Sequence, residues 1–127
     1  MALIDLVTED VVKVPLAAQS KPEVLRELLQ VLVDAGKLTD QEKAYQALLE
    51  RESRGSTGLE KCIAVPHAKT GAVSTLTLAI GVSPGGIGFQ ALDGQPSKLF
   101  FLILAAPDQS GPHIEALSEI ARLSRSQ

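Results

Sequence analysis

Leu99 to Ala106 reads LFFLILAA, eight residues with no polar side chain among them, and no other stretch constrains the chain as much. It is far too short to span a membrane, which takes about 20 apolar residues in a helix. Nor does it alternate, as a strand with one wet face would. A strand covered on both sides by helices fits it, and such a strand belongs at the centre of a sheet. The neighbouring TLTLAIGV differs, because Leu76, Leu78, Ile80 and Val82 alternate with Thr75, Thr77, Ala79 and Gly81. That period of two predicts a second strand, its larger side chains toward the core and its small-residue face covered more thinly.

Helices able to cover such a sheet lie upstream and downstream. Ser20-Lys21-Pro22-Glu23 has the S-x-x-E spacing of a capping box with a proline in the first turn. Val24, Leu25, Leu28, Leu29 and Leu32 then share one helical face, and Gly36 ends the helix. Thr39-Asp40-Gln41-Glu42 repeats the device ahead of Ala44, Tyr45, Leu48 and Leu49, with Arg51 and Glu52 near the far end and a stop near Arg54-Gly55. Pro112 opens a last helix striped by Ile114, Leu117, Ala121 and Leu123. SPGGIGFQALDGQPSK, dense in glycine and proline, predicts turns around a short irregular strand. Its Gly85-Gly86-Ile87-Gly88 is no nucleotide loop, since no G-K-[ST] follows and no helix opens after it. The fold class is α/β, a mixed central β-sheet flanked by helices. With 127 residues, 45% of them hydrophobic, the chain makes one compact domain over residues 1–127.

Twelve basic and 15 acidic side chains spread along the chain leave a formal net charge of −3, which offers no footprint for nucleic acid. The opening MALIDLVTEDVVK carries acidic residues where a signal peptide would be basic, and no run is long enough for direct membrane insertion. Cys62, the single cysteine, cannot form an internal disulfide. In its apolar, strand-like run it reads as a core thiol of a cytoplasmic protein, with a catalytic thiol as the lesser alternative.

The same run ends IAVPH. Pro66 cannot donate a ladder hydrogen bond and pushes Val65 toward extended geometry, so a strand over Ile63–Val65 should end there and leave His67 at its tip. Such positions are held by the sheet yet face loops, where ligands of open α/β sheets sit. His113, one residue after Pro112, falls in the first turn of the last helix, where backbone N–H groups attract an anion and favour a neutral imidazole. Spacing alone leaves open whether the two histidines converge. A zinc site lacks further ligands and an H-E-x-x-H, and a serine hydrolase lacks a G-x-S-x-G. A histidine nucleophile toward phosphorus needs a neutral ring nitrogen, a partner that orients the other nitrogen, and donors for the phosphoryl oxygens. Arg51 and Arg54 are the candidate cations.

RESRGSTGLEKCIAVPHAK, followed by GQP, FFLILAAP and PHIEALSEIARL, resembles the IIA domains of the fructose and mannitol type in the bacterial phosphoenolpyruvate-dependent sugar phosphotransferase system, including their nitrogen-regulatory relatives. The likeness covers nearly the whole chain, and it rests on the joint occurrence of R-E-x-x-x-S-T-G, A-[IV]-P-H and a histidine distal to A-A-P. It implies a phosphotransferase with a phosphohistidine intermediate and no cofactor. His67 would take the phosphoryl group from the carrier protein HPr and pass it to a IIB partner. His113 matches the second active-site histidine, and Arg51 the arginine near the phosphorylated ring, with a weaker claim for Arg54. Ser56, Thr57 and Gly58 match the loop before the active strand and shape the site, while Pro66 fixes the approach of the histidine.

Family members run on past the helix at Pro112, so the resemblance implies a domain shortened at its C-terminal end. Loss of a packing layer would expose apolar surface and favour a homodimer. Sugar uptake is the leading function. The alternative is a regulatory protein whose phosphorylation state controls its binding to other proteins, and both use His67. The sugar itself is not legible, because a IIA domain handles only the phosphoryl group.

Overall fold

A computed structural model of the chain describes residues 9–54, 63–73, 76–88 and 96–107. After a 3-10 turn, Glu9–Val11, come β1 (Val12–Lys13), α1 (Lys21–Asp34) and α2 (Gln41–Ser53). β2 (Ile63–Ala64), β3 (His67–Lys69), β4 (Thr77–Ile87) and β5 (Ser97–Ala105) follow. The helix expected after Pro112 lies outside the described residues.

α1 forms where the capping pattern places it. Glu23 reaches back to accept from the Gln19 N–H at 3.2 Å and the Ser20 hydroxyl at 3.0 Å. At the other end Gly36 takes a positive φ of 74°, and the Gly36 and Lys37 N–H groups close on the carbonyls of Val33 and Leu32. This is the Schellman arrangement, which a side chain at Gly36 would strain. Val24, Leu25, Leu28, Leu29 and Leu32 are all fully buried. α2 starts one residue later than the Thr39 box implies, because the carboxylate of Asp40 accepts from the Lys43 N–H at 3.0 Å and so caps the helix.

The sheet runs β1-β4-β5-β2, with β3 also on β5. β4 and β5 are antiparallel and the other pairs are parallel, so the sheet is mixed and β5 has neighbours on both sides. The apolar run of β5 serves two clusters: Phe100, Leu102 and Leu104 pack with the helices, and Ile103 and Ala105 with Val65, Leu76 and Leu78.

β4 corrects one expectation. Its small-residue face is the one the helices cover, while Ile80 and Val82 on the opposite face are only partly buried. The leucines of α1 fill the space, so the sheet must be small beneath them: a Cβ on Gly81 would stand 2.9 Å from methyl carbons of Leu16 and Leu28. β4 also extends further than expected. Val82 pairs with Leu99 and Ile87 with Ser97, so Ser83 to Gly86 bulge out opposite Lys98 alone. Gly86, at φ 82°, sits where a Cβ would lie 2.7 Å from Pro96.

Between β1 and α1 the chain is tied down by Glu27. Its carboxylate accepts from the N–H groups of Ala17 (3.0 Å) and Ala18 (2.8 Å) and pairs with Lys13 at 3.2 Å. Desolvation pushes this carboxyl up, but the two N–H donors and Lys13 outweigh it and hold the carboxyl below its ordinary value.

Candidate functional site

β2 and β3 share one register on β5, with Ile63 opposite Leu99, Ala64 opposite Phe100 and His67 opposite Ile103. They are therefore one strand interrupted at Val65-Pro66, and His67 opens its second half rather than standing at its end. The expectation that proline would stop the strand fails for a simple reason. Proline lacks only the donor; its carbonyl still accepts from the Ile103 N–H at 2.9 Å. Among the described residues this strand pairs with β5 alone, and an edge is where a missing donor is tolerated.

The interruption has a chemical consequence. Val65 is outside the ladder, and its carbonyl lies 2.7 Å from Nδ1 of His67. A carbonyl can only accept, so Nδ1 carries the ring proton and the lone pair resides on Nε2. Burial is the main influence lowering the pKa of His67. The hydrogen bond to Val65 raises it, Arg51 lowers it and Glu52 raises it, and the balance falls below the ordinary value. The half-buried ring is thus neutral at pH 7 with its tautomer selected, the state a nitrogen nucleophile requires.

α2 packs beside β3, and Ala47 and Ala68, both small, line the gap together with His67, Lys69, Glu50, Arg51 and Arg54, around an open cavity of about 350 Å³. The C-terminal end of a helix repels anions, so any attraction for one here must come from side chains. Arg51, Arg54 and Lys69 supply it. The Nη2 of Arg54 pairs with the Glu50 Oε1 one turn back, and of the two guanidiniums it is Arg51 whose charge acts on the His67 ring. Lys69 escaped the sequence reading. The signal is its spacing of two from His67, which puts both on one side of a strand, but Pro66 implies a strand that ends first.

His113, Ser56, Thr57, Gly58 and Cys62 lie outside the described residues, as does any approach of His113 to His67. A larger cavity of about 700 Å³ lies between α1 and α2 around Arg26, Gln30 and Tyr45, and shares no lining residue with the one at His67. Among the described residues no group of His, Cys, Asp and Glu side chains could hold a metal ion, and no helix is long and apolar enough to cross a membrane.

Residues 5–127 match the family model for "Phosphoenolpyruvate-dependent sugar phosphotransferase system, EIIA 2". The chain belongs to this family. A fructose-specific EIIABC component of Bacillus subtilis is 40% identical over 97% of the chain, which spans only 19% of that relative's length. A fructose-specific EIIA component of Haloferax volcanii is 43% identical over 81% of the chain and 67% of its own length. The crystal structure of the nitrogen regulatory protein IIA-Ntr from Neisseria meningitidis superimposes with a TM-score of 0.86 at 29% identity, covering 95% of this chain and 83% of that one. The mixed sheet with α1 and α2 on one face is accordingly the EIIA fold, and phosphotransfer in the phosphotransferase system is the role of the family.

Proposed function

We propose that this EIIA domain carries a phosphoryl group on Nε2 of His67, taking it from phospho-HPr and passing it to a IIB component during sugar uptake. The observation that carries this reading is the Nδ1 contact to Val65 at 2.7 Å, which leaves the nucleophilic lone pair on Nε2. In the transfer, an N–P bond forms at Nε2 as the donor's N–P bond breaks, and the reverse occurs at the acceptor. Both nitrogens stay within the same tautomeric frame, so the ring need not move a proton between steps. Arg51 stabilises the phosphoryl oxygens by charge-assisted hydrogen bonds, and Lys69 adds positive charge across the cavity. His113 is assigned a helper role, donating to the phosphoryl group without itself carrying it.

The fructose-specific names of two relatives favour transport. The regulatory alternative draws on the structural likeness to IIA-Ntr. Incubation of the purified chain with phosphoenolpyruvate, enzyme I and HPr, followed by a panel of IIB proteins, tests the proposal. Labelling on His67 with onward transfer to a IIB protein is expected for transport. Labelling without transfer to any IIB protein would support regulation, and no labelling would refute both.

A further inference from the structure

Among the described residues that line the cavity at His67, Glu50 carries the one carboxylate, beside the cations Arg51, Arg54 and Lys69. The carboxylates of α2 all meet a cation, but in different places. Glu42 pairs with Arg26 and Glu52 with Lys21, and none of these four lines the cavity. Glu50 pairs with Arg54 one turn on, and both of them do. The pair adds little to stability, since 66% of the Glu50 side chain and 70% of that of Arg54 are exposed to water. Its place in the cavity is what sets it apart. The Arg54 backbone is fixed at the end of α2, its N–H on the Arg51 carbonyl at 3.2 Å, so rotation of the side chain alone decides whether the guanidinium meets Glu50 or a group in the cavity.

We propose that Glu50 withholds Arg54 from the phosphoryl group on His67, and so keeps that group loosely enough held to be passed on. The inference rests on the phosphocarrier reading of His67. A phosphoryl group brings negative charge into a cavity lined by three cations, and each guanidinium that turned to it would add strong charge-assisted hydrogen bonds. Carriage requires that the bound state not be overstabilised relative to the transition state of onward transfer. Glu50 competes with the phosphoryl oxygens for one of the guanidiniums and leaves Arg51 to hold them. Because the Glu50–Arg54 pair is exposed, this competition is worth about a threefold change in an equilibrium, a fine adjustment of the carried state. Glu50 is thus a positioning residue, acting through Arg54 without touching the transferred group.

The test is the phosphoryl-transfer equilibrium between phospho-HPr and the full chain, read by intact-mass spectrometry with a thermal melt of each variant. Glu50→Gln should shift it about threefold toward the phosphorylated chain, and Glu50→Ala, which differs from it in helix propensity, should do the same. In an Arg54→Ala background Glu50→Gln should leave the equilibrium where Arg54→Ala alone puts it, because no guanidinium remains to be released. A pair that served only the helix would move the melts and not the equilibrium, and that result overturns the proposal. So does a full threefold shift in the Arg54→Ala background, which would mean that Glu50 acts by its own charge and not through Arg54. A parent chain that takes no phosphoryl group on His67 overturns the phosphocarrier reading and this inference with it, and is told apart because it involves no variant.

Discussion

At the entrance to α1 the carboxylate of Glu27 is closed in by its own chain, whereas at the far end of α2 the ring of His67 lines an open cavity together with Arg51, Arg54, Lys69 and Glu50. Both are polar groups set against the helical layer. Glu27 has its ligands supplied by Ala17, Ala18 and Lys13, and its task is to fix a connection. Arg51, Arg54, Lys69 and Glu50 line an open space large enough for an anion from outside. A charge cluster closed in by its own chain serves the fold, and one that lines an open cavity is placed to serve a ligand.

That contrast can be broken first at His67. Replacing it with alanine should abolish phosphoryl acceptance, and intact-mass spectrometry showing substantial labelling of His67→Ala would end the assignment. Next in size is Arg51→Ala, expected to slow transfer by about a hundred- to a thousandfold with the fold intact, as for loss of one oriented donor. Since Arg51 lowers the His67 pKa, its removal should also move the ring's NMR titration upward. Arg54→Ala should cost less than tenfold, because Glu50 already engages that guanidinium. A larger loss at Arg54 than at Arg51 would show that the wrong arginine was chosen.

Glu27→Gln sharpens the comparison from the structural side. It should cost about 1–2 kcal/mol of stability, the worth of charged hydrogen bonds to two N–H groups, and leave transfer rates unchanged. Because the folded-state pKa of Glu27 is lowered, its contribution is fully present above the unfolded carboxylate value and fades as pH falls through the folded one. Acid denaturation of Glu27→Gln should therefore be less steep over that window. An equal loss of stability at all pH values would show that the charge was not what mattered.

Local signals carried much of this architecture. The Ser20–Glu23 spacing and the leucine stripe located α1, and the unbroken apolar run located β5 as a strand with an apolar cluster on each face, helices covering one of them among the described residues. What the sequence concealed depends on contacts between distant segments. Pro66 reads as a stop, and only the pairing with β5 shows that its carbonyl suffices to keep the register. Gly81 reads as part of a thin face until Leu16 and Leu28 arrive from elsewhere. The N–H groups that hold Glu27 lie ten and nine residues before it, a spacing with no helical or strand periodicity to announce it. Of the side chains that line the cavity, His67 and Arg51 stand out by motif and resemblance, whereas Lys69 needs the strand to continue.

The central claim is that the chain selects one nitrogen of one ring, and it is tested most directly by NMR of the phosphorylated domain with ¹⁵N-labelled histidine. Coupling to phosphorus should appear at Nε2 of His67, with Nδ1 still protonated against the Val65 carbonyl. Phosphorus on Nδ1 of His67, or on His113, would contradict the account.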